Sequence, residues 1–165
     1  PKTPKPLHLK QIIFVNMKVI LVLLLVAVNA AVNYAADNVF VILSGSKFYF
    51  NYRHTLNAIQ LYGYLKSVGI TDDQIILMAP VDHACNARNP FPGTLYHDEA
   101  HSKNWLCEDV EIDYKAEDLT AESILNLLRG RYDDNLPKSK RLVTGPNTRI
   151  FLYFNGHGGE NFFKI

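Results

Sequence analysis

The residues best placed to do chemistry lie near the C-terminal end of the sequence. Ile150-Phe-Leu-Tyr-Phe154 leads straight into Asn155-Gly156-His157-Gly158-Gly159. Five aromatic or aliphatic residues followed by glycines predict a buried strand that delivers one histidine into a loop free of side-chain crowding. Catalytic groups on α/β scaffolds stand where strands end. His157 therefore has three readings: a general base activating a nucleophile, a metal ligand, or a residue that caps a turn. A metal role lacks a second His or Cys at ligand spacing. Gly158 could offer its backbone N–H to a developing oxyanion, a contribution whose loss elsewhere lowers rates about 10²- to 10³-fold. No residue after His157 supplies a nucleophile before Ile165, so the chain is expected to be the front part of a longer protein.

Two further groups could do chemistry. Glu111 and Asp113, with Asp109 next in register, and the pair Asp72-Asp73 present hard oxygen ligands suited to calcium, which takes about 6 to 8 of them. The alternative is a solvated acidic edge that discourages strand pairing. Cys85 and Cys107 could pair with each other in an oxidising compartment, or one could pair with another chain. A histidine followed by two glycines after a strand also resembles the oxyanion loop of lipases and esterases. Glu160 stands where that motif carries another glycine, and no G-x-S-x-G is present.

The elements that must position these groups are legible in the pattern. Asn38-Val-Phe-Val-Ile-Leu43 is a continuous apolar run of strand length, broken by Ser44-Gly45-Ser46. Tyr52, Leu56, Ile59, Tyr62 and Leu65 recur at helical spacing up to Gly69, a natural helix terminator. Ile75-Ile-Leu-Met78 reads as a second buried strand, closing a right-handed β-α-β unit. Pro80 to Asn104 shows no periodicity and reads as a long loop. Val110 to Tyr114 alternates strictly and predicts a half-exposed strand or hairpin arm with Glu111 and Asp113 on one face. Thr120 should cap a helix that Leu119 staples against Ile124 and Gly130 ends. This order implies an open parallel sheet with helices on both faces. With the first strand in the middle, the loops after the first and third strands meet at a topological switch point, where such sheets bind ligands.

The N-terminal segment reads differently. Pro1 to Asn16 is basic and has no amphipathic pattern, so residues 1–16 are expected to be a non-native or untranslated leader. Met17-Lys18 followed by Val19 to Val28 and by Asn29-Ala30 predicts a signal peptide over residues 17–30; an uncleaved anchor across Ile12 to Val32 is the alternative. Residues 31–165 then form one domain. All four Lys before Ala31 precede every acid, leaving 13 basic residues against 16 acidic ones in the mature part. No clustered basic face remains for nucleic acid.

Four separated segments carry a family resemblance: Phe48-Tyr-Phe-Asn51-Tyr-Arg-His54, Met78-Ala-Pro-Val-Asp82-His-Ala-Cys85-Asn-Ala-Arg88-Asn89-Pro90, Asp109-Val-Glu-Ile-Asp113-Tyr114 and Tyr153-Phe-Asn-Gly-His157-Gly158-Gly159. In that order they resemble the catalytic subunits of GPI transamidases, which belong with legumain-like cysteine peptidases and, more distantly, with caspases. The resemblance runs from about Asn38 to Ile165. It implies an α/β three-layer sandwich with a mainly parallel sheet, caspase/legumain-like and truncated after the third core strand. It implies His157 as catalytic base, Gly158 as oxyanion donor and Asn51 as the group that orients the histidine. It also implies structural calcium held by Asp72, the carbonyl of Ile75, Glu111 and Asp113, with no cofactor needed for the chemistry. Cys85 would form a disulfide to a partner subunit, and Cys107 acquires no role.

The implied reaction removes the C-terminal signal of a precursor protein and transfers the new carboxyl end to a GPI lipid. A nucleophilic cysteine and a membrane anchor would lie beyond Ile165, and the complex would face the endoplasmic reticulum lumen. The competing expectations are a legumain-like asparaginyl endopeptidase and an inactive, truncated binding module.

Overall fold

The apolar run Val39 to Leu43 needs cover on both sides, and the fold supplies it. In the computed structural model, which describes residues 38–80, 82–106 and 110–165, this run is the central strand β1 (Asn38–Ser44). Strands β2 (Ile75–Met78) and β3 (Arg149–Asn155) both pair parallel to it, in the order β2-β1-β3. Helix α1 (Tyr52–Ser67) connects β1 to β2; a single helical turn, α2 (Asp82–Cys85), follows β2; and α3 (Ala121–Leu128) precedes β3. The leader and signal-peptide expectations and Cys107 lie outside the described residues.

Alternation along β1 decides which helix packs where. Val39, Val41 and Leu43 join Leu119, Ile124 and Leu127 in one buried cluster, while Ile42 joins Ala58, Tyr62 and Leu65 in another. The two helices thus cover opposite faces, giving the expected layered α/β architecture. Local signals agree with it. The α1 terminus closes as a Schellman motif, Ile70 N–H to Leu65 C=O at 3.0 Å and Gly69 N–H to Lys66 C=O at 3.1 Å, with Gly69 at φ +92°. Thr120 caps α3, its Oγ1 accepting from Ser123 N–H at 3.1 Å, and Leu119 and Ile124 are both buried beside it.

Three expectations change. Ile150, Phe151, Leu152 and Phe154, expected to be buried, are 41–48% exposed among the described residues. Among the described residues the strand has β1 as its one lateral neighbour, and no β3 residue belongs to the fully buried clusters under the helices. Val110 to Tyr114 is not a ladder strand: it makes one parallel bridge, Met78 to Tyr114, and runs irregularly before it. Ile112 and Asp113 are both buried, because the Asp113 carboxylate turns inward to accept the Leu77 N–H at 2.9 Å. A buried backbone donor outweighs the pattern there. The stretch from Pro80 to Asn104 contains α2, too short to show a period.

Tyr62 fastens this irregular segment to α1. It is 3% exposed; its hydroxyl donates to Asp72 Oδ1 at 2.6 Å and accepts from Glu111 N–H at 3.3 Å. Tyr62→Phe in the full-length protein should lower unfolding free energy by about 1–2 kcal/mol, the net worth of a hydroxyl that bonds a carboxylate and a backbone N–H. Chemical denaturation measures this; an unchanged midpoint would show the hydroxyl to be dispensable.

Candidate active site

Register places the site. Ser44 at the end of β1 lies level with Asn155 at the end of β3, and Gly45 N–H donates to Asn155 C=O at 2.9 Å. The segments leaving both strands therefore emerge side by side. A side chain at Gly45 would sit 2.6 Å from the Lys164 carbonyl oxygen, so only glycine lets the C-terminal segment close over this point. After β1 the chain makes a 3₁₀ turn, Tyr49–Asn51, which leads directly into α1 and leaves Asn51 buried. After β3 it turns at Gly156 and enters a short hairpin, β4 (Gly158–Gly159) with β5 (Phe162–Phe163).

The two segments meet at one hydrogen bond, His157 Nε2–H to Asn51 Oδ1 at 2.7 Å. An amide oxygen can only accept, so the imidazole proton sits on Nε2 and leaves Nδ1 as the atom that can take or give a proton. His157 is exposed on its other side, in a crevice of about 340 Å³ lined by Ser46, Lys47, Phe50, Asn51 and Lys164. Lys164 N–H donates to His157 C=O at 2.8 Å, which makes these two a hydrogen-bonded pair of the hairpin. Gly158 and Phe163 are next in the antiparallel ladder and hence a non-hydrogen-bonded pair. The Gly158 N–H accordingly points away from the partner strand. Of the three residues expected from the sequence, the structure brings His157 and Asn51 into contact; Gly158 follows in the hairpin and is not among the residues that line the crevice.

Two residues the site also uses were not singled out for chemistry in the sequence. The His54 ring stands edge-on to His157, centroids 5.0 Å apart at 76°, and its Nδ1 lies 2.7 Å from Ser46 Oγ. Burial, then the positive charge of Arg53 and the neighbouring His157, holds its pKa below the ordinary histidine value. Asn155 donates its amide to the His54 carbonyl at 3.0 Å, tying the end of β3 to the first turn of α1. Both sit inside the quoted motifs, at positions whose partners are distant in sequence.

The four residues expected to hold calcium frame one corner of the fold without closing a cage. Asp72 is hydrogen-bonded to the Lys66 ammonium and the Tyr62 hydroxyl. Burial raises its pKa, but these two donors outweigh that and hold it below the usual carboxylate value. Asp113 is pushed up to about 6 by burial, with the Glu111 charge adding to it and the Leu77 N–H opposing it. Ile75 opens β2 two residues before Leu77. Among the described residues no three acidic, histidine or cysteine side chains gather as a metal cage. The Lys66 ammonium already neutralises Asp72, so a metal ion at this corner would have to displace it. Cys85 is an exposed, free thiol at the end of α2.

A histidine hydrogen-bonded to an asparagine amide thus stands at the switch point of an open parallel sheet, where α/β proteins of this class bind ligands. Residues 38–165 match the Peptidase C13 family. The chain belongs to that family. It is 42% identical over 151 residues to a GPI-anchor transamidase of Schizosaccharomyces pombe, covering 92% of this chain and 40% of that protein. It is 44% identical over 129 residues to one of Saccharomyces cerevisiae (78% and 31%) and 41% identical over the same length to one of Bos taurus (78% and 33%). The chain thus spans about a third to two fifths of the length of these curated relatives.

The lowered His54 pKa has a signed consequence for stability. Below about pH 6.5 the unfolded state binds a proton at His54 before the folded state does, so stability falls as pH falls toward the folded value. Denaturation at pH 7.5 and pH 5.5 should show a smaller acid-side loss in His54→Gln than in the parent. An identical loss in both would contradict this account of the ring.

Proposed function

We propose that the full-length protein is the catalytic subunit of a GPI transamidase, which cuts the C-terminal signal from a precursor protein and joins the new carboxyl end to the ethanolamine amine of a GPI anchor. The single observation that carries this reading is the 2.7 Å His157–Asn51 hydrogen bond, found in a chain of the Peptidase C13 family whose relatives include GPI-anchor transamidases. The nucleophile is a cysteine thiolate from the rest of the full-length chain.

The chemistry follows from the geometry. The thiolate attacks the carbonyl at the attachment site, and the Gly158 N–H stabilises the oxyanion that forms. His157 Nδ1, which has taken the proton of the cysteine thiol, gives that proton to the departing amine of the signal peptide as the tetrahedral intermediate collapses to a thioester. The neutral ethanolamine amine then attacks the thioester carbonyl and gives its proton to His157 Nδ1. The thiolate leaves, and an amide bond remains. Asn51 accepts from Nε2–H throughout, so the ring keeps one orientation while Nδ1 cycles. The exposed Cys85 thiol is available to link covalently to a partner subunit of a complex at the endoplasmic reticulum membrane. Calcium, held by Asp72, the Ile75 carbonyl, Glu111 and Asp113, would rigidify the corner between α1, β2 and the segment that follows.

Two experiments test this reading. In membranes bearing the full-length protein, His157→Ala should remove transfer of a precursor to an amine acceptor, and Asn51→Ala should slow it about 10²-fold, as a misplaced catalytic group does. Water as the preferred acceptor, with asparaginyl peptides hydrolysed, would replace transamidase by endopeptidase; full activity in His157→Ala would remove both. For the metal, the full-length protein should melt at a higher temperature in calcium than in chelator, and Glu111→Gln should erase the difference. Equal melting in the two buffers would discard the calcium site.

A further inference from the structure

His83 is completely buried and is bonded at both ring nitrogens, yet takes no part in the reaction just described. Its Nε2 faces the Phe48 carbonyl at 2.8 Å and its Nδ1 faces Thr55 Oγ1 at 2.7 Å. A carbonyl only accepts, so Nε2 carries the proton and Nδ1 accepts the Thr55 hydroxyl. Thr55 Oγ1 lies in turn 3.5 Å from Ser44 Oγ, at the end of β1. The ring thus joins β1, α1 and the helical turn α2 to a single carbonyl.

That carbonyl is shared. Phe48 C=O also accepts Asn51 N–H at 2.8 Å, the bond that closes the 3₁₀ turn presenting Asn51 to His157. A carbonyl with two donors is fixed in two directions, so the turn cannot rock about its own axis. The backbone carrying His83 is held as well: the Asn89 side-chain amide donates to the carbonyls of His83, Ala84 and Thr94 at 3.4, 3.2 and 3.0 Å. From these contacts we infer that His83 is a positioning residue for the catalytic histidine, acting through the Phe48 carbonyl to hold the Asn51 amide at the geometry His157 requires. The inference rests on the reading of His157 as the proton-transfer group.

The relay runs from Asn89 through His83 and Phe48 C=O to Asn51 and ends at His157 Nε2. Each link is a hydrogen bond about 3 Å long, and an error at any link is passed to the proton-transfer atom. A catalytic group displaced by about 1 Å loses on the order of 10²-fold in rate, so a partial loosening of this turn reads in kcat rather than in substrate affinity.

The test uses the full-length protein in its complex. His83→Ala should lower kcat about tenfold with KM within about twofold, a fraction of the loss a full 1 Å displacement gives. His83→Gln, which keeps an N–H for the Phe48 carbonyl, should regain most of that loss. Hydrogen exchange at the Asn51 amide should quicken in the alanine variant and return toward the parent rate in the glutamine one. Exchange needs no substrate, so it reports on this clamp whether the completed protein transfers to an amine or to water. Parent kcat in His83→Ala, glutamine as poor as alanine, or lost kcat with unchanged Asn51 exchange would each overturn the inference. Where His83→Ala does not fold, Thr55→Val removes the donor to Nδ1 at nearly constant volume and should lower kcat severalfold while quickening Asn51 exchange. Unchanged values in that variant would overturn the inference equally.

Discussion

One hydrogen bond, from His157 Nε2–H to Asn51 Oδ1, sets what the rest of the structure has to do. Its two ends are 106 residues apart in the chain, and neither side chain has the other within reach by local geometry. They meet because β1 and β3 are parallel neighbours that end level, Ser44 against Asn155. A slip of one residue in that pairing would move His157 by about 3.3 Å and turn it to the opposite side of the sheet. The apolar register of β1 therefore also sets the meeting of His157 with Asn51. Val39, Val41 and Leu43 must face one helix layer and Ile42 the other, and that same requirement fixes where the strand ends.

The surroundings of the bond divide the work of holding it. Asn155 ties β3 to the start of α1 through the His54 carbonyl, and Gly45 closes the two strand ends on each other. The hairpin after His157 holds the carbonyl of the histidine, leaving its ring to Asn51 and its following N–H unpaired within the ladder. His83 and Asn89 hold the other side from beneath the 3₁₀ turn. A polar chain of this kind in a buried setting is stable because each donor has its acceptor, and it is unforgiving for the same reason.

Much of this was legible in the sequence. The apolar run of β1, the helical spacing from Tyr52 to Leu65, Gly69 as terminator and Thr120 as cap all predicted elements that form where expected, because each depends on contacts a few residues away. The meeting of Asn51 with His157 followed from strand order and from four motifs in sequence. What stayed hidden depends on long-range neighbours. Residues 110–114 alternate like a strand, yet Asp113 turns inward because Leu77, 36 residues earlier, offers it a donor. Ile150 to Phe154 read as buried, yet only one lateral neighbour borders them among the described residues. His83 lies in a stretch without periodicity, and its partners at Phe48 and Thr55 are 35 and 28 residues away. Composition and spacing carry no record of such pairings.

The most direct measurement of the account is the tautomer of His157. With ¹⁵N-labelled histidine in the full-length protein, the neutral ring should carry its proton on Nε2, and Asn51→Ala should replace that single form with a mixture. A neutral ring protonated on Nδ1, or a spectrum indifferent to Asn51→Ala, would contradict the claim that Asn51 orients the base.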